Sequence, residues 1–232
     1  RLRKYGYNCI EKNKVKVYGY HLPIGGMPKR IFNSIKSKYF ERIIKLVVEK
    51  EEEPDVIHIH FPLLTLTEEI WEILKEFNKP IVVTEHWSKV QLKSIPTHQI
   101  DFLKKILDEA EAFICVGDLL KKSVIELTNT EKNIEVIPNI VSSLFYYEGK
   151  EYKDENFKFV TIGRLIESKR IGLVIDAFSR AFKNNVNVNL TVVGDGPLFN
   201  KYMNQIKRLG MSDRIFMTGF LSREKTANIM RD

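Results

Sequence analysis

The 232-residue chain lacks the features that mark several common classes of protein. Its two cysteines, Cys9 and Cys115, lie far apart without metal-ligand spacing, which argues against a disulfide scaffold or a zinc finger and favours a reducing, cytoplasmic setting. No apolar run approaches the roughly 20 residues of a membrane span. The basic N-terminus is not followed by the apolar segment of a signal peptide.

Several catalytic signatures are also absent. The sequence has no G-x-S-x-G nucleophile motif and no G-K-S/T phosphate loop. No close pair of acids stands out, and no D-x-D follows a strand to hold a metal. Carboxylate catalysis and metal binding therefore have no obvious candidate residues.

Positive charge is concentrated in the first 50 residues. They contain 13 Lys and Arg against 3 Asp and Glu, a net charge of +10, which leaves −3 for the rest of a chain of net charge +7. A basic segment attracts phosphorylated substrates, anionic lipid or nucleic acid. Nucleic acid is not expected, because no zinc-finger or RNP-type signature is present. We predict contact with the anionic inner face of the plasma membrane; the alternative is a basic surface that is merely solvated.

The hydrophobic pattern predicts an α/β protein. Continuous β-branched runs alternate with helical periodicity, as in parallel, doubly wound sheets whose strands are buried on both faces. The predicted strands are 15–20, 55–61, 80–86, 112–117, 134–139, 157–163, 190–196 and 214–220. The predicted helices are 34–50, 66–77, 98–109, 118–128, 171–183 and 198–209, with another from 222.

A polar segment divides the pattern into two domains. Residues 146–156 read as a linker between an N-terminal domain, 1–145, and a C-terminal domain, 157–232. Five predicted strands precede the linker and three follow it, so neither half completes a six-stranded Rossmann-like sheet. The chain has no Met at position 1, and its last helix has no stop signal. We therefore expect it to be truncated at both ends.

The motif GRLIESKR, residues 163–170, is the strongest local signal. It lies between a buried strand and a helix, where ligands bind open α/β sheets. Gly163 permits close approach to the backbone, and Arg164 and Lys169 suit a diphosphate beside a helix N-terminus. The alternative is a surface loop with ordinary basic residues.

A second motif, VVGDGP, ends another strand. Gly194, Asp195, Gly196 and Pro197 could form the backbone-lined edge of a ligand site. The alternative is a tight turn in which Asp195 caps the next helix and Pro197 occupies its first turn.

Three histidines of the N-terminal half, His58, His60 and His86, lie on two predicted strands. His86, in TEHWS, lies at a strand end and could contact a sugar hydroxyl or a developing charge; a structural histidine is the alternative. Glu85 precedes it and is a further candidate for the ligand cleft. His58 and His60 share a strand face, and a buried structural pair is favoured over a metal site because no third ligand is apparent. Cys115 is predicted to lie in the hydrophobic core.

Taken together and in order, the motifs resemble glycosyltransferase family 4. The series is PDVIHIHFP, TEHWS, FICVGDLLKKSV, VIPNIV, GRLIESKRIGLVIDAF, LTVVGDGP and RIFMTGF, and it covers most of residues 54–232. The resemblance implies the GT-B fold, with two Rossmann-like domains and the active site in the cleft between them. It also implies retaining transfer from a nucleotide-sugar without an essential metal or other cofactor.

The resemblance further implies roles for single residues. Arg164 and Lys169 would bind the donor diphosphate, His86 would lie near the donor sugar, and residues 194–197 would lie near the nucleotide. Asn139, in the PN motif, would face the cleft. The usual Asp of this motif is replaced by Ser142.

The expected function is transfer of a hexosyl unit to a lipid-linked or saccharide acceptor in cell-surface polysaccharide synthesis. The alternatives are a GT-B nucleotide-sugar 2-epimerase and a non-catalytic fragment that binds nucleotide-sugar. The family's Gly-rich acceptor loop would precede Arg1, and its E-x7-E element would follow Asp232. The 232-residue chain alone is therefore not expected to be active.

Overall fold

The computed structural model of the chain describes residues 6–22, 26–147, 149 and 156–231. The chain forms two compact units, residues 1–139 and 140–232. Each contains a parallel sheet of its own. The predicted linker, 146–156, lies largely outside the described residues.

The first unit begins with an antiparallel hairpin that the sequence analysis missed. Strands β1 (Gly6–Lys12) and β2 (Val15–His21) pair with each other as a separate two-stranded sheet. The two residues between them, Asn13 and Lys14, both have positive φ, 52° and 64°. This is the backbone of a two-residue hairpin turn, which usually carries glycine at its second position. The predicted strand 15–20 is therefore real, but its assignment to the parallel sheet was wrong.

The parallel sheet of the first unit has four strands among the described residues. They run in sequence order as β3 (Ile57–His60), β4 (Ile81–Glu85), β5 (Ala112–Cys115) and β6 (Ile134–Val136). Adjacent strands pair in parallel throughout. Their carboxyl ends therefore meet at one edge of the sheet, which brings together the loops that follow β3, β4 and β6.

Helices connect these strands. They are α1 (Lys29–Glu51), α2 (Pro62–Thr65), α3 (Glu68–Lys75), α4 (Ser88–Gln91), α5 (Thr97–Glu109) and α6 (Asp118–Thr128). Helix α1 begins five residues before its predicted start. Thr67 caps α3 by accepting a hydrogen bond from the Ile70 N–H at 3.3 Å.

The core of the first unit forms where α3, α5 and the sheet pack together. Trp71, Leu103 and Phe113 are almost wholly buried. The Trp71 indole N–H donates to Glu109 at 2.6 Å, so the one polar atom of this side chain is satisfied. Cys115 is fully buried in the same cluster, which confirms its prediction as core. Burial raises the pKa of its thiol to about 12.

The second unit has a three-stranded parallel sheet. Strands β7 (Phe157–Ile162), β8 (Val188–Val193) and β9 (Ile215–Gly219) run in sequence order. Helices α7 (Ile171–Ala181), α8 (Phe199–Arg208) and α9 (Arg223–Arg231) follow them, and a 3-10 turn (Glu167–Lys169) precedes α7. Ile175, Leu190 and Ile206 are buried in its core. In the described part of the chain, no helix is both long and apolar enough to cross a bilayer.

Candidate functional site

Two loops of the second unit lie against each other at the carboxyl ends of β7 and β8. The Gly163 N–H donates to the Val193 carbonyl at 3.0 Å, and the Leu165 N–H donates to the Asp195 carbonyl at 3.0 Å. The Leu165 carbonyl in turn accepts from the Leu198 N–H at 3.2 Å. The GRL and GDG segments therefore form one hydrogen-bonded frame.

The frame requires glycine at two positions. A Cβ on Gly194 would lie 1.9 Å from the Gly163 carbonyl oxygen, and one on Gly196 would lie 2.6 Å from the Leu165 carbonyl oxygen. Gly194 also has a φ of 144°, which L side chains rarely adopt. The backbone of the neighbouring loop therefore leaves no room for a side chain at Gly194 or Gly196. The sequence alone predicted either a ligand edge or a tight turn, and neither includes this contact between the loops.

Asp195 and Pro197 differ from their predicted local roles. The Asp195 carboxylate accepts a hydrogen bond from the adjacent Gly196 N–H at 2.7 Å, whereas the N-cap of α8 is Leu198, without a side-chain hydrogen bond. Asp195 is therefore not the helix cap. Pro197 lies in the turn before α8, because that helix begins at Phe199.

Arg164 and Lys169 are both exposed beside this frame. Within the described residues, neither makes an ion pair or a side-chain hydrogen bond. The neighbouring acid, Glu167, pairs instead with Lys201 at 3.0 Å. The Lys169 side chain passes close to Gly163, with its Cγ 3.9 Å from where a Cβ of Gly163 would lie. The two cations are thus available to an anion next to the glycine frame.

A cavity of about 430 Å³ adjoins the frame. Gly163, Arg164, Gly194 and Asp195 line it, so the structure brings together four of the predicted donor-site residues. Phe220, Leu221 and Thr226 also line the cavity, and Phe220 is 81% exposed. None of these three residues was predicted from the sequence. The signal was that the predicted strand 214–220 ends at Phe220, at the carboxyl edge where the loops of β7 and β8 also lie.

In the first unit, His86 lies directly after β4. Its Nε2 is 2.9 Å from Nδ1 of His60, and its ring stacks on Phe61 with centroids 4.6 Å apart. Phe61 has a left-handed backbone, φ 56°. Such a conformation is uncommon for a bulky residue and concentrates at functional sites.

The surroundings of His86 favour its neutral form. Burial, and then the neighbouring His60, lower the pKa of His86, while a hydrogen bond to the Asn139 side chain acts in the opposite direction. The net shift of the His86 pKa is downward, so the neutral imidazole is favoured over the charged form. Asn139 is exposed, and it contacts His86 from the segment that follows β6, which places it at the same edge of the sheet.

Glu85 was expected to line the ligand cleft, but the structure places its side chain in the protein interior. Its side chain is fully buried. Its Oε1 accepts from the backbone N–H groups of His86 and Trp87 at 2.8 and 2.7 Å, whereas Oε2 has no hydrogen-bond partner among the residues that the structure describes. Glu85 therefore holds the loop that carries His86. Burial raises the pKa of its carboxyl group.

His58 and His60 share a face of β3, as predicted, with ring centroids 4.3 Å apart. Both are exposed, however, so the preferred interpretation as a buried pair was wrong. His58 is 2.8 Å from the Thr84 hydroxyl, and His60 faces His86. In the ranges that the structure describes, no group of three or more His, Cys, Asp or Glu side chains could hold a metal ion.

Comparison with known families identifies the chain. Residues 7–143, more than half of it, match the family described as Glycosyltransferase Family 4, and residues 147–232 match Glycosyl transferases group 1. The chain belongs to glycosyltransferase family 4. This agrees with the resemblance that its ordered motifs show.

Relatives of this family 4 chain include curated proteins and solved structures. An uncharacterized glycosyltransferase of Methanocaldococcus jannaschii is 23% identical over 219 residues, covering 75% of this chain and 54% of that protein. The alpha-monoglucosyldiacylglycerol synthase of Streptococcus pneumoniae is 24% identical over 205 residues, covering 78% and 46%. The crystal structure of Anabaena HepE in complex with UDP-glucose has a TM-score of 0.59 at 20% identity, covering 78% and 52%.

These comparisons establish the fold of the family 4 chain. Its solved structural neighbours are GT-B glycosyltransferases, so the predicted α/β class and GT-B fold are confirmed. The chain spans about half the length of the curated relatives it matches.

Proposed function

We propose that the protein transfers a sugar from a nucleotide-sugar donor to a glycolipid or saccharide acceptor. This proposal rests on the glycine frame of the second unit, beside which Arg164 and Lys169 are exposed and form no ion pair with any described residue. In an α/β sheet, this edge is where a nucleotide binds. The family membership of the chain supports the same reaction class.

The donor diphosphate would bind against Arg164 and Lys169. A guanidinium offers a planar fork to phosphate oxygens, and an ammonium offers a compact charge. As the sugar leaves, negative charge grows on the diphosphate, so these cations stabilise the transition state more than the ground state. The exposed ring of Phe220, in the wall of the adjoining cavity, offers a face on which the nucleobase can stack.

His86 would act on the sugar in its neutral form. A neutral imidazole can accept or donate a hydrogen bond without adding a charge at the reacting carbon. We propose retention of the anomeric configuration and no requirement for a metal, in line with the family resemblance. Glu85 supports this role indirectly, because it holds the backbone of the loop on which His86 lies.

The acceptor would belong to cell-surface polysaccharide or glycolipid synthesis at the cytoplasmic face of the membrane. The relative from Streptococcus pneumoniae is named for a glycolipid product, and the Anabaena neighbour was solved with UDP-glucose. The net charge of +10 in residues 1–50 supports contact with anionic lipid.

A transfer assay tests this function. The complete gene product is incubated with labelled UDP- and GDP-sugars and with lipid or saccharide acceptors, with Lys169→Ala as the impaired variant and Lys207→Ala, on the exposed last turn of α8, as the control. Labelled acceptor is expected for wild type and the control. Conversion of free nucleotide-sugar to its 2-epimer, without acceptor, would support an epimerase instead. We expect no transfer by the 232-residue chain alone, which spans about half of its relatives.

A further inference from the structure

The same diagonal side-chain contact occurs twice along the pairing of β3 with β4. Nε2 of His58 lies 2.8 Å from the Thr84 hydroxyl. Two residues further along both chains, Nδ1 of His60 lies 2.9 Å from Nε2 of His86. Side chains two residues apart share a strand face, so the second contact repeats the geometry of the first. It differs in that His86 lies just beyond the end of β4, so His60 extends the order of the sheet into the loop.

The backbone of His60 and Phe61, the two residues that contact the His86 ring, is held by hydrogen bonds. The Phe61 N–H donates to the Thr84 carbonyl at 3.0 Å, which continues the contact with β4 past the end of β3. The Thr65 hydroxyl lies within donating distance of the carbonyl oxygens of both His60 and Phe61, at 3.1 and 3.0 Å. These bonds keep both side chains next to His86.

The His86 ring is contacted on its face and on its edge. Phe61 stacks on the face, with an angle of 26° between the two ring planes, and so sets the plane of the imidazole. His60 meets the edge at Nε2 and so sets the rotation of the imidazole within that plane. Stacking does not distinguish the two ring nitrogens, whereas a hydrogen bond at Nε2 does. His60 therefore determines which nitrogen of His86 is engaged.

The position of the proton on His86 follows from its two polar neighbours. A hydrogen bond between two neutral imidazoles contains one proton, so one ring donates and the other accepts. Burial lowers the pKa of His86, whereas the Asn139 hydrogen bond acts to raise it, as an acceptor of a ring N–H does. The contact with Asn139 therefore needs a proton on His86. Nδ1 is the nitrogen that the His60 contact leaves for that proton.

We propose that His60 is a positioning residue for sugar transfer: by donating from Nδ1 to Nε2 of His86, it fixes the ring orientation of His86 and keeps the His86 proton on Nδ1. The Nδ1–H group is then a donor that a sugar hydroxyl can accept in place of Asn139. A donor that is held in place before the reaction needs no reorganisation during it. The inference rests on the proposed function, in which His86 contacts the donor sugar.

Covalent geometry provides a matched set of variants. The amide nitrogen of asparagine is two bonds from Cβ, as Nδ1 of histidine is, so His60→Asn keeps a donor at that place. His60→Leu keeps the bulk and removes the donor. The amide of glutamine is three bonds from Cβ, as Nε2 is, so His58→Gln keeps a partner for the Thr84 hydroxyl and controls for loss of an imidazole from the same strand face. Both histidines are exposed, so none of these changes empties the core.

The first readout is transfer by the complete gene product from UDP- or GDP-sugars. His60→Leu should lower kcat roughly tenfold or more and change the KM for the nucleotide-sugar less than about threefold, because the diphosphate contacts are untouched. His60→Asn should stay within about threefold of wild type in kcat, and His58→Gln within about twofold. Equal losses of kcat in His60→Leu and His60→Asn would overturn the proposal, and so would wild-type kcat in His60→Leu.

The second readout is the tautomer of His86, measured by nitrogen-15 NMR of histidine-labelled protein at about pH 8, where imidazoles are neutral. EDTA in every sample keeps a metal ion from replacing the shared proton, and His86→Ala identifies the His86 signals. Wild type and His60→Asn should have Nδ1 protonated and Nε2 unprotonated. In His60→Leu the proton should move largely to Nε2, the tautomer that a free histidine side chain prefers. An Nε2–H tautomer in wild type, or no change in His60→Leu, would overturn the proposal.

The two readouts also separate the inference from the proposed function. If wild type transfers sugar and His60→Leu matches it in kcat and in tautomer, the inference fails while the proposed function stands. If wild type transfers no sugar to any acceptor, the proposed function fails. The positioning role in the reaction then fails with it, even where NMR shows that His60 sets the tautomer of His86.

Discussion

Gly194 and Gly163 approach so closely that a single methyl group on Gly194 would lie 1.9 Å from the Gly163 carbonyl oxygen. The approach follows from the strand pairing, in which Ile162 of β7 lies opposite Val193 of β8. The loops after these two strands begin side by side, and backbone hydrogen bonds then join them. The position of Arg164 therefore depends on a glycine 30 residues away.

Gly194→Ala is expected to damage this frame. Gly210→Ala is the matched control, because Gly210 also has positive φ, 66°, but has no atom within 4 Å of its potential Cβ. The control should lose about 1–2 kcal/mol of stability from backbone strain alone. Gly194→Ala should lose roughly 1–3 kcal/mol more from overlap. Chemical denaturation measures both, and equal losses would refute the steric argument.

Glu85 should make stability depend on pH. Because its pKa is raised in the folded state, the folded protein holds this proton after the unfolded chain has released it. Glu85 therefore contributes most to the free energy of unfolding below its ordinary pKa of about 4.3. This contribution decreases as the pH rises toward the pKa of Glu85 in the folded state.

Glu85→Gln should remove that pH dependence. The amide oxygen can still accept from the His86 and Trp87 N–H groups, whereas Glu85→Ala would leave both donors without this partner. Denaturant titrations between pH 4 and pH 8 should show a flatter profile for Glu85→Gln than for wild type. Indistinguishable profiles would contradict the raised pKa.

His86→Ala in the complete gene product should reduce turnover while changing stability by about 1 kcal/mol or less, as for a residue outside the core. Since the pKa of His86 is lowered, a reaction that needs the neutral imidazole should lose rate only below its ordinary pKa of about 6.5. The pH profile of kcat and thermal melting provide the two readouts. A large fall in Tm would favour a structural role.

Much of the fold could be predicted from the local pattern. The continuous apolar runs Ile81–Val83 of β4 and Ala112–Cys115 of β5 are typical of buried parallel strands, and Thr67 is a residue type that commonly caps helices, as it does α3. The β1–β2 hairpin was missed because its turn, Asn13-Lys14, lacks the glycine that identifies such turns.

The details of the site depend on contacts that no local pattern contains. His60 meets His86 only because β3 pairs with β4 in the register that sets His60 opposite Thr84. Likewise, the burial of Glu85 depends on its side chain turning back to the N–H groups of its own loop. Sequence position nominated His86, Arg164 and Glu85 alike, and it could not show that Glu85 is buried while Arg164 is exposed.

The most direct test of the central claim, that the loops of the second unit bind a nucleotide diphosphate, is calorimetric titration with UDP and GDP. Lys169→Ala and Arg164→Ala should each lose about 1.5–3 kcal/mol of binding free energy, the value for a hydrogen bond to a charged group. This corresponds to roughly 10- to 150-fold in Kd. Lys207→Ala should bind like wild type. Unchanged affinity in Lys169→Ala and Arg164→Ala, or no nucleotide binding by the wild-type protein, would contradict the account.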